Sequence, residues 1–149
     1  MAKIELHQDF KEFLRLLNSH NARYLLVGGY AVGYHGYPRA TADMDIWIEM
    51  SESNSKKVAS ALRDFGMPDE AISESFFLEK NKVIRMGAPP VRLEIITSVS
   101  GVEFNDCYSN REVIKIDNIP INFISLKDLK KNKHAAGRHK DRDDLEHLP

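Results

Sequence analysis

Residues 24–48 read YLLVGGYAVGYHGYPRATADMDIWI, and two features of this stretch indicate the centre of a β-sheet. The apolar run Tyr24–Val27 stops at two glycines, Gly28 and Gly29, which is typical of a buried strand that enters a tight turn. From residue 43 to residue 50, polar and apolar residues alternate. This alternation predicts a second strand with the carboxylates of Asp43 and Asp45 on one face. Trp47 shares that face, where packing is a better interpretation than the floor of a base pocket.

The segments around this stretch predict helices and strands in a mixed order. Apolar residues spaced i, i+3, i+4 and i+7 predict a helix over residues 9–18. Turn and cap signals predict the remaining elements: helices over 30–36, from Ser51 to Gly66, from Leu126 and over 141–148, and strand pairs 83–86 with 91–96 and 111–116 with 119–124. We therefore expect one α+β (mixed α/β) domain over residues 1–149, a mixed β-sheet flanked by helices.

Composition excludes several classes of protein. The chain has 149 residues and a net charge of −1, which argues against a general nucleic-acid coat. No apolar run approaches the roughly 18 residues of a membrane span, so we expect no membrane association. The single cysteine, Cys107, excludes an internal disulfide and a cysteine-based zinc site. These features indicate a cytoplasmic protein.

Three acidic residues suggest a cation site. Asp43 and Asp45 are two residues apart on a strand, so their oxygens can share Mg²⁺ or Mn²⁺, although most such pairs only cap turns. Glu94 lies within the apolar strand 91–96, where a carboxylate needs a partner or a metal. If the two strands are neighbours, Glu94 becomes the third carboxylate of a two-metal site. Gly28 and Gly29, at the start of a short helix, could hold phosphate oxygens.

These residues resemble the signature of the nucleotidyltransferase superfamily with DNA polymerase β-like folds. Gly28-Gly29 is followed by thirteen residues, then by Asp43-Met44-Asp45, and Glu94 stands on a later strand. Residues 39–46 and 133–141 look like a small bacterial and archaeal subgroup related to the AbiEii-type nucleotidyltransferases. The third acid of the family is commonly Asp, so Glu94 is a departure that adds one methylene.

The resemblance implies an enzyme that binds NTP and two Mg²⁺ ions. An acceptor hydroxyl would attack the α-phosphate, and pyrophosphate would leave. Asp43, Asp45 and Glu94 would be the metal ligands and catalytic residues. The implied nucleotide-binding residues nearby are Gly28 and Gly29 as a phosphate cradle, Arg39 as a triphosphate clamp and Thr41 as a support for the loop.

The C-terminal segment carries a concentration of positive charge. Residues 127–142 hold seven basic and two acidic side chains, a net charge of +5, which leaves −6 for the rest of the chain. A solvated helix face is the ordinary interpretation of such a run. The resemblance favours a second one, in which Lys133, Arg138 or Lys140 reaches the triphosphate or an RNA acceptor.

We therefore expect a minimal nucleotidyltransferase that moves an NMP from NTP to a hydroxyl of RNA, protein or a small molecule. The chain is short for a separate acceptor domain, so a partner protein, a homodimer or the basic segment would recognise the acceptor. The alternative is a nucleotide-binding or partner-binding, antitoxin-like module of a toxin–antitoxin pair, without turnover. Three clustered acids favour the enzyme, because a binding module does not need them.

Overall fold

A computed structural model describes residues 6–149, so the first five residues of the predicted domain lie outside the described part. Its helices are α1 Gln8–Ser19, α2 Gly28–Tyr34, α3 Glu52–Phe65, α4 Phe104–Ser109, α5 Leu126–Ala136 and α6 His139–His147. Its strands are β1 Tyr24–Val27, β2 Asp43–Ile48, β3 Val83–Ala88, β4 Val91–Ile96, β5 Glu112–Ile116 and β6 Ile119–Phe123. Two short 3₁₀ turns, Asp69–Ala71 and Glu74–Leu78, lie between α3 and β3.

The six strands form one mixed sheet in the order β3-β4-β2-β1-β6-β5. β3 with β4 and β5 with β6 are antiparallel hairpins, which confirms both predicted strand pairs. β1 and β2 run antiparallel at the centre, whereas β2 pairs parallel with β4 and β1 pairs parallel with β6. β2 therefore pairs with β4, whereas β3, the next strand after β2 in the chain, lies on the far side of β4.

The helices cover both faces of this sheet. On one face, α1 buries Phe10, Phe13 and two leucines, packs on α3 and contacts β4 and β6. On the other face, Phe104 of α4 meets Trp47 edge-on, with ring centroids 5.2 Å apart. Trp47 is buried, so it packs in the core as predicted. α4 and α5 thus stand over the face that carries Asp45.

Two helix starts and one further helix differ from the sequence predictions. α2 starts at Gly28, not at residue 30, because Gly28 takes a positive φ of 65° and the chain enters the helix without a separate turn. α6 starts at His139, not at residue 141, because the carboxylate of Asp141 accepts a 3.1 Å hydrogen bond from the backbone N–H of Arg138, the residue before the helix. The six-residue helix α4 was not predicted, since a helix that short shows no clear period. None of the helices described within residues 6–149 is long and apolar enough to cross a membrane.

Candidate active site

Strand pairing brings the three predicted acids onto one surface. In the parallel β2–β4 pair, Asp43 stands opposite Arg92 and Asp45 stands opposite Glu94. Residues that face each other across a ladder project from the same side of the sheet, and Arg85 of β3 stands opposite Glu94 on the next strand. We call this group of five side chains the acid face: Asp43, Asp45, Glu94, Arg85 and Arg92.

Asp43 is held by an arginine. Its two carboxylate oxygens accept hydrogen bonds of 2.6 and 2.9 Å from Nε and Nη2 of Arg92. This fork-shaped pairing is the strong geometry for a guanidinium and a carboxylate. The hydrogen bonds from Arg92 lower the pKa of Asp43 below its usual range, so Asp43 is ionised.

Asp45 is in the opposite electrostatic situation. Burial, the hydrogen bond with Glu94 and the negative charges of Glu94 and Asp43 raise the pKa of Asp45 well above its usual range. Its Oδ1 atom is buried and has no hydrogen-bond partner among residues 6–149. A buried carboxylate oxygen without a partner is costly, and such under-satisfied groups cluster at functional sites.

Glu94 shares one feature with each aspartate: it is largely buried, like Asp45, and it is hydrogen-bonded to an arginine, like Asp43. Its side chain is 14% exposed, and its Oε1 atom accepts a 2.9 Å hydrogen bond from Nε of Arg85. Nη2 of Arg92 is 3.8 Å from the same oxygen. The partner that an acid in an apolar strand requires is therefore present in the fold itself.

Gly28 and Gly29 pack so closely that no side chain would fit at either position. A Cβ atom at Gly28 would lie 2.1 Å from Oδ2 of Asp45, and one at Gly29 would lie 2.7 Å from Cβ and Oγ1 of Thr41. Thr41 in turn donates a 3.1 Å hydrogen bond to the carbonyl oxygen of Asp43. The two glycines thus let the end of β1 touch both the acid and the loop that precedes it.

A cleft of about 350 Å³ opens beside this contact. It lies between the ends of β1, β2 and β4 and the C-terminal half of α5. Its lining consists of Val27, Gly28, Asp45, Ile96, Ser98, Val99, Ser100, Asn132, Ala136 and Arg138. The cleft therefore joins the buried acid, a glycine backbone, two hydroxyls and one guanidinium.

A second set of charges lies behind the cleft, and we call it the buried charge network: Arg39, Lys133, Arg138, Asp141 and Asp144. Nζ of Lys133 is 3.0 Å from both Asp141 Oδ1 and Asp144 Oδ2. Arg39 donates bonds of 2.7 and 2.9 Å to Asp144, and Nε of Arg138 donates a 2.7 Å bond to Asp141. Lys133, Asp141 and Asp144 are 3%, 0% and 1% exposed.

These contacts fix the charge states of both acids. Burial alone would raise the pKa of Asp141, but hydrogen bonds from Arg138 and Lys133 outweigh it and lower the pKa to about 2. For Asp144, burial is likewise outweighed by the bonds from Arg39 and Lys133, and its pKa is lowered. The network is therefore fully ionised and internally paired.

The predicted nucleotide-binding cations fall into two groups. Lys133 is buried in the buried charge network, and the guanidinium of Arg39 is bound to Asp144 of the same network. Neither residue lines the cleft. The side chain of Arg138 is 62% exposed and does line it. Lys140 is exposed; its positive charge adds to the lowering of the Asp43 pKa by Arg92 and opposes the larger effects that raise the pKa of Asp45. Of the predicted nucleotide-binding cations, Arg138 and Lys140 are thus the two whose charges interact with Asp45.

The donor set fits a hard divalent cation, but two of its three carboxylates are hydrogen-bonded to arginines. Carboxylate oxygens are the ligands that Mg²⁺ and Mn²⁺ prefer, and the unpartnered Oδ1 of Asp45 is such a donor. Among residues 6–149, however, no three Asp, Glu, His or Cys side chains stand ready to hold an ion. Arg92 binds both oxygens of Asp43, and Oε1 of Glu94 accepts a hydrogen bond from Arg85.

Four charged residues of the acid face and the buried charge network were not predicted from the sequence as site residues: Arg85, Arg92, Asp141 and Asp144. A signal existed for Arg92, because it is two residues from Glu94 on the same strand and so shares its face. A weaker signal existed for Asp141 and Asp144, which are three residues apart on a helix. Nothing local indicated Arg85, whose contact with Glu94 depends on the register of the β3–β4 hairpin.

Comparison with known proteins supports the fold. No protein-family model matches the sequence, and no curated protein matches it. Among solved structures, it is similar to the crystal structure of a protein from Thermotoga maritima that is described as a candidate nucleotidyltransferase. The TM-score is 0.61 at 14% identity, over 98% of this chain and 93% of that one. The likeness concerns the fold and does not reach the AbiEii-related subgroup. The chain therefore has a nucleotidyltransferase-like fold, a six-stranded mixed sheet flanked by helices.

Proposed function

We propose that this protein is a nucleotidyltransferase that transfers an NMP from NTP to an acceptor hydroxyl and releases pyrophosphate. The observation that carries the proposal is the environment of Asp45. Its carboxylate is buried beside Glu94, keeps one oxygen without a hydrogen-bond partner among residues 6–149, touches Gly28 and lines the cleft. A cation and a polyanionic ligand would together satisfy these groups.

The acid face supplies the ligands for the cation. Asp45 and Glu94 would hold Mg²⁺ or Mn²⁺, and Asp43 would join them when Arg92 leaves it. When bound, the ions would neutralise the charge that develops on the transferred phosphoryl group and activate the attacking oxygen. Asp45 then gains the partner that its buried oxygen lacks.

The cleft supplies the positions for the nucleotide. Gly28 has no Cβ, so its backbone can approach phosphate oxygens beside Asp45. Arg138 presents an exposed guanidinium to the same cleft, and Lys140 adds positive charge near the acids. Ser98 and Asn132 also line the cleft. The hydroxyl of Ser98 donates to Asn81 and can accept a hydrogen bond from the nucleotide, whereas Asn132 donates one amide hydrogen to the Ser100 carbonyl and can donate the second to the sugar or the base.

In the proposed reaction, the acceptor oxygen forms a bond to the α-phosphorus as the bond to the pyrophosphate oxygen breaks. The hydroxyl proton moves to the carboxylate of Glu94 and from there to solvent. Arg138 and Lys140 stabilise the negative charge of the departing pyrophosphate. A partner protein or a second copy of the chain would contribute the surface that binds an acceptor, whether RNA, protein or a small molecule.

The test is incubation with each of four α-³²P-labelled NTPs, Mg²⁺ and separate RNA, protein and small-molecule fractions of a lysate. We expect label to enter one fraction, and the variant Asp43→Asn with Asp45→Asn to abolish it. Asp69→Asn is the matched control, because the side chain of Asp69 is 81% exposed and pairs with Arg63 on the surface. The double variant should also lose the rise in melting temperature that NTP with Mg²⁺ gives the natural chain. An unchanged rise would contradict the metal ligands.

A second function is favoured by one observation, the hydrogen-bonded pair of Arg92 with Asp43. A protein that binds nucleotide without turnover has no need to free Asp43, and the pair could then be permanent. Such a protein would be the nucleotide-binding or partner-binding, antitoxin-like module of a toxin–antitoxin pair, without turnover. Bound NTP that is never cleaved in any of the labelled incubations would support this second function over the first.

A further inference from the structure

Arg92 occupies the middle of the acid face. Its guanidinium donates two hydrogen bonds to Asp43 and lies 3.8 Å from Glu94. Its side chain is 30% exposed, so solvent and ligands can reach it. The positive charge of Arg92 also interacts with Asp45. One positively charged side chain thus lies among the three carboxylates, paired with Asp43 and 3.8 Å from an oxygen of Glu94.

The pairing has a direct consequence for cation binding. Both oxygens of Asp43 accept hydrogen bonds from Arg92, so a cation can bind Asp43 only when the guanidinium turns away. That departure costs two charge-assisted hydrogen bonds unless the guanidinium finds another anion. Phosphate is the anion whose geometry a guanidinium matches as well as it matches a carboxylate.

We propose that Arg92 is a gate between cation and nucleotide: it excludes the cation from Asp43 and is released by the phosphates of the nucleotide. This inference rests on the proposed function. It makes Arg92 a positioning residue whose effects on the two ligands have opposite signs. The guanidinium weakens binding of a cation alone and strengthens binding of a nucleotide alone. The two ligands therefore bind cooperatively, and the coupling is reciprocal.

Arg85 provides an internal comparison. It makes one 2.9 Å hydrogen bond, to Glu94, and its side chain is 59% exposed. It does not contact Asp43. Removing Arg85 should therefore change the affinity for a cation less than removing Arg92, because a single exposed hydrogen bond competes weakly with an ion.

The experiment measures two affinities separately. Mn²⁺ binding without nucleotide is followed by electron paramagnetic resonance, and binding of the α,β-methylene analogue of ATP in EDTA is followed by calorimetry. For Arg92→Met, we expect Mn²⁺ to bind roughly tenfold more tightly and the metal-free analogue roughly tenfold more weakly, the scale of one charged hydrogen bond. Arg92→Lys keeps the charge without the fork and should fall between the natural chain and Arg92→Met. Arg63→Met is the control, because Arg63 pairs on the surface with Asp69 and Glu74.

The outcomes separate this inference from the proposed function. If Arg92→Met and Arg92→Lys keep the natural circular dichroism spectrum but leave both affinities unchanged, while Asp45→Asn abolishes Mn²⁺ binding, Arg92 is not a gate and the metal site stands. A change in only one of the two affinities overturns the gate as well, because the gate requires the guanidinium both to exclude the cation and to bind the phosphates. If the natural chain binds neither Mn²⁺ nor the analogue, the proposed function and the gate both fail.

Discussion

The acid face and the buried charge network are built from the same residue types, aspartate or glutamate against arginine or lysine. In the network, each buried acid has two cationic partners, and the pKa values of Asp141 and Asp144 are lowered. On the acid face, Asp45 keeps a buried oxygen without a partner within residues 6–149, and its pKa is raised. The two regions lie within one chain and connect through Arg138, which lines the cleft.

Structural and functional buried charges differ in whether all their partners are present. A buried charge with all its partners holds elements together, and removing one partner leaves the other uncompensated. A buried charge without enough partners is retained at a cost to stability, which is typical of a binding site.

The largest effect is expected inside the network. Lys133→Met would leave Asp141 and Asp144 buried without their shared ammonium group, so we expect a loss of about 3–5 kcal/mol in the free energy of unfolding. Urea denaturation followed by circular dichroism measures it. Lys127→Met, at an exposed position at the start of the same helix, should change stability by less than about 0.5 kcal/mol. A mild effect of Lys133→Met would mean that Lys133 is available to a ligand, as the sequence suggested.

The buried charge network should also make the stability of the protein fall at acid pH. Because the folded-state pKa of Asp141 is lowered from 3.8 to about 2, its contribution to stability is complete above about pH 4. It is lost as the pH falls through 2. We expect this one residue to account for about 1–2 kcal/mol of that loss. Unfolding curves between pH 6 and pH 2 measure it, and Asp141→Asn should flatten the slope below pH 4; an unchanged slope would contradict the pairing.

On the acid face, removing a carboxylate should increase the free energy of unfolding, the opposite of the effect expected in the network. Asp45→Asn removes a buried charge that faces two other carboxylates, so the metal-free protein should become more stable by about 1–2 kcal/mol near neutral pH. Urea denaturation in EDTA measures the gain. Asp43→Asn is the matched variant: it breaks the pair with Arg92 and should give no gain. A destabilised Asp45→Asn would show that Asp45 is structural.

The smallest effect is expected where the network meets solvent. The side chain of Arg39 is 24% exposed, and Asp144 keeps Lys133 when Arg39 is removed. Arg39→Gln should therefore cost about 1 kcal/mol of stability. If Arg39 serves only the network, nucleotide affinity measured by calorimetry should change less than about twofold. A larger loss of affinity would support the role of Arg39 as a triphosphate clamp, which the sequence suggested.

The local pattern predicted much of the fold and part of the site. Alternation along β2 and the run before Gly28 were sufficient to place both central strands, and the cap at Ser125 predicted the start of α5. The same alternation put Asp43 and Asp45 on one face. The pattern could not separate Lys133 from Arg138, because both are basic residues in the same charged segment and differ only in what lies around them.

By itself, the sequence determined most of the helices and strands and the common face of Asp43 and Asp45. These properties depend on residues near one another in the chain. Only the tertiary structure decided that Glu94 joins them, that Arg92 holds Asp43 and that Lys133 faces Asp141 and Asp144 in the interior. The physical reason is that burial and charge pairing are set by distant segments: Arg39 and Asp144 are 105 residues apart in the chain and form two hydrogen bonds.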